Sequence, residues 1–346
     1  MQIKNNYFTD KQLIELLTTN DTSLLSKLHS HARFITKSIY SNDIYIRGLI
    51  EVSNYCKQGC YYCGINRSNN IKRYRLKKKD IVDTAKIGYN LGFRTFVLQG
   101  GEDPLLNDDF YIDIIKAIKN AYKDIRITLS IGLRDFKSYE QLKKAGADRF
   151  LLRHESANEF VFKKLHPKDQ SLKTRIDALI NLKKLGFAIG TGFMVEAPFS
   201  SINTHIEDIK LIRKLKPQMI GIGPFISHKD TIFKENKSGS SDLTTRLISI
   251  LRIENPTALI PSTTALNSID EYGRIKGILS GANVIMPNLS PKLAKNNYNL
   301  YDNKKNTGLE GAEDVLKLDK YLNRYGYKIS ISPGDNKGVR NGKIRR

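Results

Sequence analysis

The sequence predicts an α/β chain folded as a (β/α)8 barrel of the TIM type, with a helical lead-in before it and a helical extension after it. Three observations predict this. Eight short apolar runs alternate with amphipathic stretches, glycines stand where the helical stretches hand over to the next run, and the alternation stops near residue 291. Regular alternation implies a parallel sheet with helices outside, and eight repeats favour a closed barrel over an open sheet.

Residues 1–44 read as the lead-in, 45–291 as the barrel and 292–346 as the extension with a basic tail. The expected strands are Tyr45–Val52, Arg94–Leu98, Arg126–Ile131, Asp148–Arg153, Phe187–Val195, Gln218–Pro224, Leu259–Thr264 and Asn283–Met286. Between them Ile81–Leu91, Phe110–Ala121, Tyr139–Ala145, Leu172–Leu185, Ile206–Leu215, Leu243–Arg252 and Ile269–Leu279 repeat apolar residues at helical spacing. Gly92, Gly146, Gly186 and Gly281 follow such stretches. Glycine suits that place because a helix commonly ends on a left-handed residue. Beyond residue 292 the chain turns rich in Asn, Lys and Gly, with one helix near Glu310–Tyr325 and otherwise the composition of a solvated or partly ordered tail.

A length of 346 residues, 40% hydrophobic and 27% charged, suits one large domain with a substantial core. No apolar stretch approaches the roughly 18 residues of a spanning helix. The start, MQIKNNYFTDKQLIELL, lacks the apolar block of a secretory signal, so a cytoplasmic location is expected and a membrane partner is not. A net charge of +22 can attract phosphates or acidic partners. Lys, Asn, Ile and Tyr are abundant throughout, however, as an AT-rich genome would impose. The basic residues gather only at Lys77–Lys79 and in the last few positions, and nucleic acid is not the expected partner.

Three cysteines, an odd number, fall within eight residues: Cys56, Cys60 and Cys63, spaced C-x3-C-x2-C just after the first strand. Disulfide frameworks use even, dispersed sets. Thiolates suit iron–sulfur clusters, and three of them on a cubane leave the fourth iron free. The amino and carboxylate groups of S-adenosylmethionine (SAM) can chelate that iron, and an electron from the reduced cluster can cleave SAM to a 5′-deoxyadenosyl radical. The cofactors expected are therefore a [4Fe–4S] cluster and SAM, with Tyr62 placed to pack on adenine. Zinc would want a fourth ligand nearby, and a redox pair Cys60–Cys63 would leave Cys56 unexplained.

Active sites of this fold lie at the C-terminal ends of the strands. The second strand ends in Gly100-Gly101-Glu102. Two glycines permit close backbone approach, and exposed carbonyls and Glu102 can accept from the ammonium of SAM; the plain alternative is a strand-to-helix turn. The third strand places Thr128 and Ser130 on one face. The fourth sets Arg153 and Glu155 on one side. Buried charges there need partners: Glu155 can accept from ribose hydroxyls and Arg175 can bind the methionine carboxylate, unless they form an internal ion pair. Gly221 and Gly223 would leave space for adenine. Met194, Thr263, Thr264 and Met286 read as packing when taken alone. His228 reads equally as surface or ligand, and His29 and His31 carry no assigned role.

Tyr74–Leu76, Leu98–Pro104, Leu151–Asn158 (Leu-Leu-Arg-His-Glu-Ser-Ala-Asn), Gly221–Ile226, Ile260–Ala265 and Gly281–Asn288 together resemble the HydE family, the radical SAM maturases of [FeFe]-hydrogenase. The likeness runs from about Tyr45 to Asn288. It implies a complete barrel around an internal cavity, with SAM at the top held by Glu155 and Arg175, and an anionic site deeper within. Ser130, Thr128, Arg153, Thr263 and Thr264 would line that cavity. It further implies a cysteine-bound iron dicarbonyl cyanide substrate attacked at sulfur, in maturation shared with HydF and HydG type partners.

The chain departs from the family in places. No cysteine follows Cys63, so a second C-terminal cluster has no ligands; Val195–Ser200 replaces a Gly-Leu-Pro-Gly-like turn; Gly100 stands where Ser is frequent; and the loop after Phe225 lacks prolines. The rival readings are 3-methylornithine synthase, without the Arg-His-Glu-Ser-Ala-Asn run, and biotin synthase, with additional cysteines. A basic RNA-modifying protein and a purely structural metal protein stand further off.

Overall fold

The computed structural model describes residues 7–304 and 308–337; the basic C-terminal run lies outside these. Helix α1 (Asp10–Thr18) starts at a capping box between Thr9 and Gln12, and α2 (Thr22–Tyr40) at Asp21, whose carboxylate accepts from the amides of Ser23 and Leu24. Their apolar faces, with Leu13, Leu16, Leu28 and Ala32, pack into one core with Ile209, Leu247 and Leu251 of the barrel's outer helices.

The strands are β1 (Asp43–Ile46), β2 (Gly48–Ser53), β3 (Thr95–Gly100), β4 (Arg126–Ser130), β5 (Arg149–Leu151), β6 (Ala188–Thr191), β7 (Met194–Val195), β8 (Met219–Ile220), β9 (Gly223–Pro224), β10 (Val284–Ile285) and β11 (Lys328–Ser330). The order β2-β3-β4-β5-β6-β8 is parallel throughout. Single bridges Met219↔Leu259 and Pro261↔Val284 carry the sheet on to β10, which pairs with β1 in the register Tyr45↔Val284. The expected barrel is therefore closed, as an α/β fold with a parallel sheet.

Four expected strands come out broken or reduced. Phe187–Val195 divides into β6 and β7, and Gln218–Pro224 into β8 and β9. Tyr45–Val52 is broken at Arg47, whose side chain faces the interior. Leu259–Thr264 shrinks to the two bridges, because Thr263 already caps the next helix by accepting from the Leu266 amide.

The helices around the barrel are α3 (Lys78–Asn90), α4 (Asp108–Ala121), α5 (Phe136–Lys144), α6 (Glu159–Leu165), α7 (Leu172–Lys184), α8 (Ile202–Leu215), α9 (Ser241–Glu254), α10 (Thr264–Ile269) and α11 (Gly273–Leu279). The expected single helix Ile269–Leu279 is thus two short ones. The Asp270 carboxylate accepts from the Ser241 hydroxyl, the Tyr272 amide and Lys276, which turns the chain between them. Gly92, Gly146, Gly186 and Gly281 all have positive φ, from 79° to 112°, as a left-handed helix end requires. Along the strands Phe96, Leu98, Ile127, Leu129, Phe150 and Ile189 are fully buried against the helices, while Val97, Gln99, Thr128 and Ser130 point into the barrel. Each large apolar side chain so buried contributes about 1.5–3 kcal/mol.

The tail expectation fails for the described part of residues 292–337. Helix α12 (Lys292–Asn297) and α13 (Val315–Asn323) pack on the barrel, and β11 adds to β1 in parallel. The chain then crosses the N-terminal end of the strands. There the Pro333 carbonyl accepts from Thr95 Oγ1 at 2.7 Å and from Arg149 Nη2 at 2.9 Å, and Arg149 also donates to Gly334 and Asp335. Composition favoured solvation here, but the buried Arg149 needs acceptors and the strap supplies them. Burial pulls the Arg149 guanidinium down and Asp335 partly restores it. Burial alone would raise Asp335, but Arg149 and Arg126 hold its carboxyl below the usual aspartate range.

Replacing Asp335 by Ala is expected to cost about 1–2 kcal/mol, less than a fully buried pair because Asp335 is half exposed. A folded-state value held below the unfolded one stabilises at neutral pH and is lost on acidification. The stability gap between wild type and Asp335→Ala, measured by urea unfolding, should therefore close as pH falls below the usual aspartate range.

Candidate functional site

The loop after β2 is held before any ligand is considered. Asn54 donates to the carbonyls of Lys72 and Asn297 and accepts from the Tyr74 amide, so the loop closes on itself. Arg73 threads its centre, donating to the carbonyls of Asn54, Ile65, Asn66 and Asn69. Arg75 makes a bidentate pair with the buried Asp103, which also accepts from Ser53 Oγ at 2.6 Å, and its guanidinium lies over the Tyr55 ring. Asp103 and Arg75 thus tie the cysteine loop to the end of β3.

Within this frame Cys56, Cys60 and Cys63 are free thiols, with Cys60 buried and the others half-buried. The Glu102 amide donates to Cys56 Sγ at 3.4 Å and Gln170 Nε2 to Cys60 Sγ at 3.3 Å. Hydrogen bonds to sulfur are one of a protein's means of tuning an iron–sulfur cluster. Burial pushes all three thiols up, Cys60 to about 11 and Cys63 further. Among the described residues no three His, Cys, Asp or Glu side chains converge closely enough for a single metal ion. Three thiols on one loop are the donor set that a cubane takes, one thiolate to an iron.

A cavity of about 340 Å³ occupies the upper barrel, and Tyr62 and Cys63 reach it from the loop. Its wall carries Arg153, Glu155 and Arg175. Arg153 Nη2 stands 3.0 Å from Glu155 Oε2, an ion-pair distance, yet neither atom has a partner of hydrogen-bonding geometry. Arg175 donates to the Arg153 carbonyl and to Gln170, leaving Nε unpartnered. Burial works against its charge, and Tyr62, Cys60 and then Glu155 outweigh that and raise its value above that of a free guanidinium. The internal ion pair exists, then, but it leaves capacity over. Glu155 itself has φ +66°, a left-handed conformation rare for a side-chain-bearing residue and frequent at functional sites.

The remaining expected residues divide. Gly100, Gly223, Thr128, Ser130 and Thr263 line the cavity, and Thr128 Oγ1 is buried without a partner. Tyr62 lies edge-on to His166, which burial first, and Arg175 second, depress to about 3 and so keep neutral. Glu102 does not face the cavity. Its carboxylate accepts from Gln58 Nε2 at 2.6 Å and from the Leu133 amide at 2.9 Å, and so secures the loop. Gly101 lies outside the lining too: a β-carbon there would stand 2.3 Å from the Tyr55 carbonyl and 2.7 Å from Cys56 Cβ. Thr264 spends its hydroxyl on Glu310. His228 is buried against Gly64, and its Nδ1 accepts from the Asp230 amide.

Other lining residues were not legible in the sequence. Arg47 is fully buried at the break between β1 and β2, with Nε and Nη2 unpartnered and burial pulling its guanidinium well down. Its isolated charge inside the first strand was the available signal. Tyr298, Leu300 and Tyr301 come over the cavity from the extension, which buried ion pairs Lys304–Glu51 and Arg274–Glu310 pin down.

The sequence pattern of the Radical SAM superfamily matches residues 50–212. The "[FeFe] hydrogenase maturase subunit HydE" of Thermotoga maritima is 40% identical over 304 residues, 88% of this chain and 86% of that protein. The chain belongs to the HydE family of radical SAM enzymes. The 3-methylornithine synthase of Methanosarcina acetivorans is 28% identical over 82% of the chain and 80% of its own length. The crystal structure of methylornithine synthase (PylB) superposes with a TM-score of 0.83 at 26% identity, covering 94% of each chain. Among the described residues no helix is long and apolar enough to cross a membrane. For a HydE-family chain the expected cofactors can be tested against the site. Three free thiols at a strand end, amides aimed at two sulfurs and unfilled Arg and Glu groups in the adjoining wall fit a cluster with a zwitterionic ligand beside it.

Gly101→Ala should push the Tyr55–Cys56 backbone outward, at a cost of about 1–3 kcal/mol for the overpacked contact. The expected result is less iron bound per chain after anaerobic reconstitution, with an unchanged far-ultraviolet circular dichroism spectrum.

Proposed function

We propose that the chain matures the active-site cluster of an [FeFe]-hydrogenase, by reductive cleavage of SAM and radical chemistry on a cysteine-bound iron carbonyl cyanide unit in the barrel cavity. The observation that carries this reading is the incompletely paired group Arg153, Glu155 and Arg175. It lies in the wall of a cavity that the cysteine loop itself reaches. The 40% likeness to a HydE protein supports the biological setting, with HydF and HydG type maturases as the partners it implies.

Cys56, Cys60 and Cys63 would hold the [4Fe–4S] cluster. When bound, the cluster and SAM supply one-electron cleavage of SAM to methionine and a 5′-deoxyadenosyl radical. The chain's own residues do the rest. Arg175 offers Nε to the methionine carboxylate, and Glu155 offers Oε2 to ribose hydroxyls, both charge-assisted and therefore among the stronger hydrogen bonds. Tyr62 packs beside adenine and Gly223 leaves room for it: a β-carbon there would stand 2.8 Å from Thr263 Oγ1. Deeper in, Thr128, Ser130 and Thr263 present hydroxyls, and Arg153 presents a permanent cation. Such groups can orient carboxylate and cyanide without delivering a proton to them. Met194, Phe225 and Leu152 keep the surroundings apolar, which limits quenching of a radical by solvent.

After anaerobic reconstitution with iron and sulfide, 5′-deoxyadenosine and adenosylated products should form on adding reductant, SAM and the cysteine–iron carbonyl cyanide complex. Cys56→Ala should abolish both. Products formed with L-lysine instead would move the chain to a methylornithine-type mutase, the reading that the PylB superposition favours. An intact cluster that never cleaves SAM would sink the proposal.

Arg153→Met should lower substrate-dependent turnover about tenfold or more, the scale of one lost charge-assisted hydrogen bond. SAM cleavage without substrate should persist, and the two rates measured side by side separate a substrate contact from a SAM contact.

A further inference from the structure

Glu155, four residues beyond the end of β5, is in a left-handed conformation, and contacts on and beside it hold it there. Its amide donates to the Gly192 carbonyl at 3.1 Å and its carbonyl accepts from the Met194 amide at 3.1 Å, which fastens it to the neighbouring strand. Its flanks are held by a different element. Asp208, on α8 and almost wholly buried, takes the amide of Ala157 on Oδ1 at 2.6 Å. The same oxygen lies 3.2 Å from Nε2 of His154, whose ring is fully buried. Residues 154 and 157 bracket Glu155, and both end on one carboxylate oxygen.

The ring tautomers follow from the remaining partners. His205 Nε2 accepts from the Glu196 amide at 3.2 Å, so its proton sits on Nδ1, which donates to Asp208 Oδ2 at 3.3 Å. With Asp208 able only to accept, His154 donates from Nε2, and its Nδ1 accepts from the Thr191 hydroxyl at 2.9 Å. The set Thr191–His154–Asp208–His205 is therefore a closed chain of donors and acceptors with every member satisfied, and Phe193 stacks beside His205. A fully satisfied buried polar network of this kind specifies one arrangement strongly, because any displacement leaves a desolvated group unpaired. None of these side chains reaches the cavity, yet together they fix the segment that does.

We infer that Asp208 is a positioning residue for SAM: by gripping His154 and Ala157 it holds Glu155 left-handed, with its carboxylate turned into the cavity. The inference rests on the proposed contact between Glu155 and SAM. It places a determinant of SAM affinity on α8, which touches no ligand itself.

A double-mutant cycle tests it. SAM binding to the anaerobically reconstituted protein is measured by equilibrium dialysis for wild type, Asp208→Ala, Glu155→Ala and the double variant. Asp208→Ala should weaken SAM binding about tenfold, the scale of one buried hydrogen-bonded anchor. The double variant should bind no more weakly than Glu155→Ala alone, because positioning has no value once the carboxylate is gone. In 5′-deoxyadenosine formation the KM for SAM should rise in Asp208→Ala while kcat at saturation holds. A general structural role would instead add its loss to that of Glu155→Ala, and additivity overturns the inference, as does unchanged binding in Asp208→Ala. If Glu155→Ala itself binds SAM normally, the contact assigned to Glu155 is wrong, and the inference goes with it. Thr191→Val removes only the hydroxyl behind His154. It is the variant to use if Asp208→Ala does not fold, with a smaller loss and the same non-additivity expected.

Discussion

The parallel pairing of β1 with β10 is the contact on which the rest of the molecule depends. It turns a sheet into a closed barrel, and a parallel barrel sends every strand's C-terminal end to one mouth. Cysteine loop, β3 turn, Glu155 and the capping tyrosines meet because of that closure. The strand that closes it is itself interrupted at Arg47, so that one half pairs with β10 and the other with β3. At the opposite end the strap Pro333–Asp335 covers the strand starts and supplies acceptors for Arg149. The cavity-bearing mouth and the sealed base are thus two consequences of one topology.

The cavity wall is built at some expense of stability. Charged groups taken out of water need partners, and a buried pair with unfilled hydrogen-bonding atoms is weak evidence for stability. Arg153, Glu155, Arg175 and Arg47 all retain such atoms, and Glu155 adds a left-handed backbone. Their persistence has a structural cause. Two of them are held by named contacts: Arg175 through Gln170 and the Arg153 carbonyl, and Glu155 through Gly192, Met194 and the Asp208 network. Preorganised charge of this kind binds a zwitterionic ligand without reorganising at the moment of binding.

The cysteine loop shows the same division of labour on a smaller scale. The thiols are free, and Arg73, Asn54 and the Arg75–Asp103 pair hold the loop that carries them in shape. Glu102 contributes to the same frame. Its carboxylate joins Gln58 of the loop to Leu133 after β4, and its amide points at Cys56.

The sequence by itself determined the repeating architecture and the radical SAM family, because both are written in local patterns. Helical periodicity, a glycine after each of four helices and three cysteines at fixed spacing need no distant partner to be read. Strand alternation singles out Arg153 and Glu155, but β5 ends at Leu151 and Glu155 is left-handed, so the loop beyond the strand is what brings them together. What only the tertiary structure decided are matters of distant pairing. Glu102 faces the loop and Thr264 faces Glu310 because their partners lie 31 to 46 residues away in the chain. Arg47 reads as a stray charge in a strand until the barrel closes around it. The extension reads as solvent-exposed by composition, yet Arg149, Glu51 and Arg274 recruit it, since a buried charge will hold whatever segment satisfies it. Asp208 was invisible for the same physical reason, for its role exists only where α8 meets the end of β5.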